Sequence, residues 1–328
     1  MDPRELMVAG PVAEASLAYK NGKYVADRIF PVLDTDDPTM NIYKFLKADW
    51  FRDEAQIRGR GARAERSTFK LTPIPYNTEE WAFASEVTVE DRVLAKSRMS
   101  PPIQPDIDAV EFCADKIDLS KERRIAALIK ATNWSAAGAA GEDAQGLWAP
   151  AGVTNTLIVD VETRIETIRS NTGFRPNVLL IDAGTFSKIK QVDAVLDRTK
   201  YGGSEADPAK VTARMIASLF ELDEVLIGES IYISNKETKA GTEFTALSIW
   251  ENTAGKGMAF LFYRPSRIGL KIPMPGVQVR LRKDGQIRRT STWYEPAEHQ
   301  DVYEVSEETD IIATGTDLGF MWKDPLLT

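Results

Sequence analysis

The stretch DIDAVEFCADKIDLSKERRIAALIKAT constrains the fold of this chain more than any other segment. It opens at Asp106, just after the breaker SPPIQP, and Ile107, Val110, Ala114, Ile117, Ile125 and Leu128 recur in it near the helical period. That spacing predicts one helix over 106–131, about seven turns long. The glycine and alanine run AAGAAGEDAQG (136–146) that follows reads as a flexible connector and marks a domain boundary.

Beyond that connector, Leu157, Val161, Ile165 and Ile168 line a helical face that stops at Gly173, and the apolar run VLLI (178–181) reads as a buried strand. A short helix around 185–190 follows, then DPAKVTARMIASLFEL with Asp207 as N-cap and Pro208 in the first turn, then the strand VLIGE. Helix, strand, helix, helix, strand is the order of a compact α/β unit. The remainder is β-rich: ALSIW, MAFLFY, VQVRLRKDGQIRRTSTWY with an Asp284-Gly285 hairpin signal, and strands near 301–305 and 319–322. The expected class is therefore α+β.

Ahead of the long helix, 1–40 holds a short helical piece at 12–20 and then an extended arm with anchoring points at Ile29, Phe30 and Val32. Residues 41–89 read as strand, long polar loop, strand, a protruding hairpin with aromatic residues on both sides of the loop. The loop sequence FRDEAQIRGRGARAERSTF (51–69) carries five arginines, Arg52, Arg58, Arg60, Arg63 and Arg66, with Gly59 and Gly61 able to turn its tip.

These arginines sit in a chain of formal net charge -8 and pI about 5.1, which argues against the whole body gripping a polyphosphate. With 328 residues, 43% hydrophobic and 27% charged, the chain can bury a sizeable core in one to three domains. A single cysteine, Cys113, excludes an intramolecular disulfide framework and a cysteine-based metal site, and suits an intracellular folding compartment. The opening MDPRELMVAG does not read as a signal peptide, and no run of about 18 apolar residues would span a bilayer, so no membrane association is expected.

No active site assembles from the motifs. His299, the single histidine, lies in the polar segment YEPAEHQD and reads as a surface residue, with no GxSxG in the chain to supply a nucleophile. TAGKGM (253–258) has Trp250 where a phosphate-binding loop needs its first glycine and Gly257 where it needs serine or threonine, so it reads as a hairpin turn. DTDDPT (34–39) lacks the glycine and terminal glutamate of a calcium loop. The expectation is a protein that is not an enzyme, with no catalytic residue, cofactor or metal.

The segments VADRIFPVL, KADWFRDEAQIRG, TGFRPNVLLID, DRTKYG, DPAKVTARMIASLFELDEVLIGESIYIS and TDLGFMW, in this order from about 25 to 322, resemble the major capsid proteins of tailed phages with the Hong Kong 97 type fold. The resemblance implies a coat protein that self-assembles into pentamers and hexamers of an icosahedral shell around double-stranded DNA. It implies an amino-terminal arm (1–45), an extended β-hairpin loop (46–90), a peripheral domain (91–154) with the spine helix 106–131, an α/β axial domain (155–263), and returning β segments of the peripheral domain (264–328). Localisation in the virion after assembly in the host cytoplasm follows. So do the partners: further copies of the chain, a portal, an optional decoration protein, and packaged DNA held only non-specifically. Relatives that encode their own scaffold carry a long helical extension ahead of the arm, whereas here the arm begins within about 25 residues of Met1. Either a separate scaffolding protein serves, or such an extension has been removed.

The segment 295–317 carries eight acidic residues and no lysine or arginine. Arginine pairs bidentately with carboxylates, and such pairs fix register at an interface. The expected inter-subunit contact thus sets Arg52, Arg58, Arg60, Arg63 and Arg66, with Asp53 and Glu54 on the same loop, against Glu304, Glu307 and Glu308 or the acidic helix face of Asp108, Glu111, Asp115 and Asp118. Two other readings stand beside it: a nucleic-acid-binding protein using the loop on phosphate, and an α/β enzyme built on 155–263, where Asp182 and Glu229 end the two strands without a nucleophile.

Overall fold

The structure, a computed structural model, describes residues 20–96, 104–134, 141–148, 155–199, 211–234, 245–269 and 271–326. Four expectations fall partly or wholly outside these: the helical piece at 12–20, most of the breaker before Asp106, the first half of the 136–146 connector, and the capping pair Asp207-Pro208.

In chain order the elements begin with α1 (Ala26–Ile29), β1 (Val32–Thr35), β2 (Thr39–Phe45), α2 (Lys47–Phe51), β3 (Leu71–Asn77), β4 (Glu79–Thr88) and α3 (Val89–Ala95). The long helix α4 (Pro105–Ala131) follows, then β5 (Glu142–Asp143), α5 (Leu157–Thr172), β6 (Val178–Asp182), α6 (Ala183–Ile189), α7 (Asp193–Thr199), α8 (Ala213–Leu219) and β7 (Glu224–Gly228). The chain closes with β8 (Ile231–Ile233), β9 (Ala246–Ser248), β10 (Met258–Phe262), β11 (Gly276–Leu281), β12 (Arg288–Glu295), β13 (Gln300–Ala313) and β14 (Gly319–Lys323).

Two sheets organise these elements. The first joins β1, β11, β13, β12 and β4, and the second has the order β5-β14-β10-β6-β7. In the second sheet β6 is buried along its whole length, and its residues alternate between two cores. Leu179 and Ile181 join Leu157, Val161, Ile165, Ile168, Phe186 and Phe320 on one face. Val178 and Leu180 join Phe260, Phe262 and Met321 on the other.

That second core also contains Ile125, Ala126 and Ile129 from the C-terminal half of α4, together with Val25, Ala26, Ile29 and Phe30 from the arm. The N-terminal half of the same helix packs on the other sheet, where Cys113 and Ile117 meet Val305. At about 1.5 Å per residue the 27-residue helix is about 40 Å long, enough to reach both cores. It is a strut shared by two sheets, and its midpoint is where they exchange partners.

Several expectations change. Residues 141–148 are a packed part of the second sheet: Glu142 and Asp143 pair in parallel with Trp322 and Lys323, and Trp148 is fully buried against Trp322. The boundary anticipated there therefore does not fall within 141–148. Strand β14 also pairs with β10, so the closing strand lies in the α/β sheet and not with the segments 276–313. The helix anticipated from Pro208 begins at Ala213, where the Thr212 hydroxyl accepts from the Met215 N–H as its cap.

The Asp284-Gly285 signal makes its turn, with both residues at positive φ and Lys283 and Gln286 exchanging backbone hydrogen bonds at 2.9 Å. Its flanking strands do not pair with each other, however. Thr309 of β13 faces Glu79 of β4 on one side and Arg280 of β11 on the other, which puts β11 on the same side of β13 as β12. The two form one interrupted strand, and 282–287 is a small excursion from it. The long strand β13 offers more ladder hydrogen bonds than a short hairpin, so it takes both partners.

The arm is more firmly attached than its sequence suggested. The Asn21 amide exchanges two hydrogen bonds of 3.0 Å with the backbone of Ile231, and the Gln278 amide donates to the carbonyls of Ala26 and Phe30 at 3.0 Å each. Val25, Ala26, Ile29 and Phe30 thus join the subunit's own core, and residues 20–31 are tied to it.

Candidate assembly surface

Strands β2 and β3 pair in register from Thr39–Asn77 to Phe45–Leu71, and the hairpin they form is pinned at its root. Lys44 donates to the Thr314 carbonyl at 3.0 Å, Lys47 pairs with Asp317 at 3.1 Å, and Lys271 lies 5.6 Å from the ring centres of Phe45 and Trp50. The neck closes where the Leu46 N–H donates to the Lys70 carbonyl and the Lys70 N–H donates to Asp49.

Beyond that neck little holds the loop to its own subunit. Residues 55–73 are all exposed, and between the neck and its far end the backbone makes a turn in which Ala62 N–H donates to the Gly59 carbonyl at 3.0 Å, with Gly61 at φ 81°. Arg52 pairs with Glu54 at 3.1 Å, and the Ser67 hydroxyl and Arg52 together hold the Glu54 carboxyl below its ordinary range. Among the described residues Arg58, Arg60, Arg63 and Arg66 form no ion pair, and neither does Asp53.

The acidic residues divide into those already engaged and those left open. Arg288 bridges Asp118 at 2.6 Å and the buried Glu307 at 2.8 Å. Burial lowers the affinity of that guanidinium for its proton, but the two carboxylates prevail and raise it. Glu308 pairs with Lys283 at 3.0 Å, and Asp115 accepts the Tyr24 hydroxyl at 3.0 Å. These four therefore have partners within the subunit, contrary to the expectation that they await a neighbour. Asp108, Glu111 and Glu304 form no ion pair with the described residues. They lie on opposite sides of the layer. Val305, Glu307 and Thr309 face α4, so by alternation Glu304 points away from it, while Asp108 and Glu111 are exposed on the helix itself.

The residue that ties the layers together was not anticipated. Glu122, at the middle of α4, is completely buried, and its carboxylate accepts from the N–H groups of Val25 (3.0 Å) and Ala26 (2.8 Å), the Ser230 hydroxyl (3.0 Å) and the Trp250 Nε1 (2.7 Å). Arm, strut helix and α/β unit meet at this one side chain. Burial pushes its pKa up, against the pull of the four donors. The available signal was a charge inside an apolar period: Lys121 and Glu122 stand between Ile117 and Ile125 on the buried stripe.

Asp182 plays a smaller joining role. It caps α6 by accepting from Gly184 and Thr185, and it takes the Met258 N–H at 3.1 Å; burial pushes its pKa up too. Glu229, the other strand-end carboxylate, forms no ion pair among the described residues. Elsewhere the Asp34 carboxylate meets Arg280 and Arg282, the exposed His299 meets the Tyr294 hydroxyl at 3.3 Å, and Thr253 and Gly257 bridge the turn leading into β10. Among the described residues no group of three or more His, Cys, Asp or Glu side chains could hold a metal ion. No described helix is long and apolar enough to cross a membrane.

No family model matches the chain. The major capsid protein of Burkholderia phage BcepMu is 24% identical to it over 248 residues, which is 71% of this chain and 73% of the relative. The crystal structure of a phage-related protein from Bordetella bronchiseptica superposes with a TM-score of 0.66 at 19% identity, covering 94% of each chain. The capsid structure of cyanophage P-SCSP1u gives 0.61 at 11% identity, covering 98% of this chain and 93% of that one. The pinned hairpin, the shared strut helix and the α/β unit are thus the parts of a known architecture: the chain has the Hong Kong 97 type capsid fold and is similar in sequence to phage major capsid proteins.

Proposed function

We propose that this chain is the major capsid subunit of a tailed phage, a non-enzymatic coat protein that assembles with copies of itself into pentamers and hexamers of an icosahedral shell enclosing double-stranded DNA. The observation that carries this reading, beside the fold, is the loop. Holding residues 55–73 in one conformation costs about 20 to 40 kcal/mol of backbone entropy, and none of them is buried to offset it. A neighbouring subunit supplies that burial.

In this reading 1–45 is the amino-terminal arm and 46–90 the extended loop, with β4 returning from it into the first sheet. The first sheet and the N-terminal half of α4 form the peripheral domain, and 155–263 with β5 and β14 forms the axial domain. The loop arginines engage carboxylates of the adjacent subunit, with Asp108, Glu111 and Glu304 the acceptors that remain open. Shells form in the host cytoplasm with a separate scaffolding protein and a portal, a decoration protein is an optional addition, and packaged DNA makes only non-specific contact.

Charge reversal tests the loop's part. Arg58→Glu with Arg60→Glu should leave the subunit's thermal unfolding unchanged and abolish shells in negative-stain images; shells at wild-type yield would refute it.

A further inference from the structure

We propose that Ile57 at the loop tip of one subunit seats against the exposed apolar side chains at the start of α4 in a second copy, Ile107 or the Phe112–Phe83 pair, with Arg58 and Arg60 meeting Asp108 and Glu111, which lie between them. This rests on the assembly reading above and names the surface that the loop engages.

Three observations converge on it. Ile57 is wholly exposed, at 102% of its reference area, and is followed at once by Arg58, Gly59 and Arg60. On α4, Ile107 and Phe112 are about half exposed, although helical spacing placed Ile107 on the buried stripe. Positions 107, 108, 111 and 112 stand at i, i+1, i+4 and i+5, so they form one contiguous patch of two apolar and two acidic side chains. Phe112 packs edge-on against Phe83 of β4 at 5.8 Å, extending the apolar area onto the sheet edge, and Lys116 lies over the Phe112 ring at 5.0 Å.

Complementarity selects this patch over the other open acceptor. An exposed isoleucine followed by two cations meets two carboxylates set between two exposed apolar side chains, which fixes both register and partner. Glu304 lies between Ser291 and Ala84 in the ladder, and on the same face stand Glu86, two residues along β4 from Ala84, and the cation Arg289, two residues along β12 from Ser291. That face is a poorer host for arginines. Asp106, at the first turn of α4, is already taken by Arg92 and the Tyr303 hydroxyl.

Two experiments test the pairing in assembling protein. Asp108→Lys with Glu111→Lys should cut shell yield at least tenfold, as should Arg58→Glu with Arg60→Glu, and the four changes combined should restore yield to within about twofold of wild type. In shells of the Ile57→Cys, Ile107→Cys variant, mild oxidation should give a ladder of covalently linked subunits on a non-reducing gel, which neither single variant gives; Cys113 is buried and stays silent. Wild-type shells with no rescue and no ladder would overturn this pairing and leave the coat-protein reading standing. A wild-type chain that forms no shell under any scaffold condition would instead overturn the assembly reading itself, and this inference with it.

Discussion

Glu122 is the most consequential single side chain of the subunit, and its replacement has a calculable effect. Alanine at this position removes the acceptor of the Val25 and Ala26 N–H groups and of the Ser230 hydroxyl, while Trp250 Nε1 keeps the Ser230 oxygen at 3.0 Å. Each buried donor left unpaired costs about 1 to 3 kcal/mol, and relief of the buried charge offsets part of that, so Glu122→Ala should lose about 3 to 6 kcal/mol. Glutamine keeps one acceptor oxygen but turns an amide N–H toward donors, and about 1 to 3 kcal/mol is expected.

The linkage has a definite sign. A carboxyl whose folded pKa is raised above 4.5 binds its proton more tightly when folded, so its contribution is fully present below the unfolded value and is lost as pH rises through the folded one. The cost of Glu122→Gln should therefore shrink as pH is raised from about 4.5 toward neutrality. Urea unfolding of the unassembled subunit, followed by far-ultraviolet circular dichroism at several pH values, measures both effects. An alanine variant within about 0.5 kcal/mol of wild type would refute the clamp, and a glutamine cost independent of pH would refute the titration.

Three further outcomes follow from the same geometry. Arg288→Ala leaves Glu307 buried without its cation and should cost about 2 to 4 kcal/mol in urea unfolding of the free subunit. At Gly257, φ is 74° and an added Cβ would collide with Thr185 Oγ1 and Asp182 Oδ1, so Gly257→Ala should lower stability by about 2 to 4 kcal/mol and reduce soluble expression. DNA binding by the soluble subunit, measured by fluorescence anisotropy, should be weak at about 0.15 M salt, because the loop arginines are outweighed by a net charge of -8. Tight binding that collapses steeply with salt would favour the nucleic-acid reading.

What the sequence revealed, and what it hid, has a physical pattern. The helix α4 was legible because its apolar period runs through most of its length, and α5 because Leu157, Val161, Ile165 and Ile168 repeat cleanly before a left-handed Gly173. The Asp284-Gly285 turn was legible as local chemistry. Its place in the sheet was not, because pairing with β13 is a long-range choice that leaves no mark on the turn. Strand β5 escaped notice because two residues in a glycine-rich stretch carry no periodicity.

Among the assembly residues, the composition of 295–317 suggested open acceptors, but Glu307 turns inward to Arg288, which also takes Asp118 of α4, and Glu308 pairs with Lys283. Charge counts do not show which face of a strand or helix a carboxylate occupies. The exposure of Ile107 and Ile57 was hidden for the same reason, since hydrophobicity alone does not say whether burial comes from the same chain or the next.

Electron microscopy of the expressed full chain, alone and with a co-expressed scaffolding protein, tests the central claim most directly. The account predicts closed shells, tubes or rings of five and six subunits, with the 55–73 loop of each subunit lying on its neighbour. A chain that remains monomeric at every concentration, with scaffold present, would contradict it.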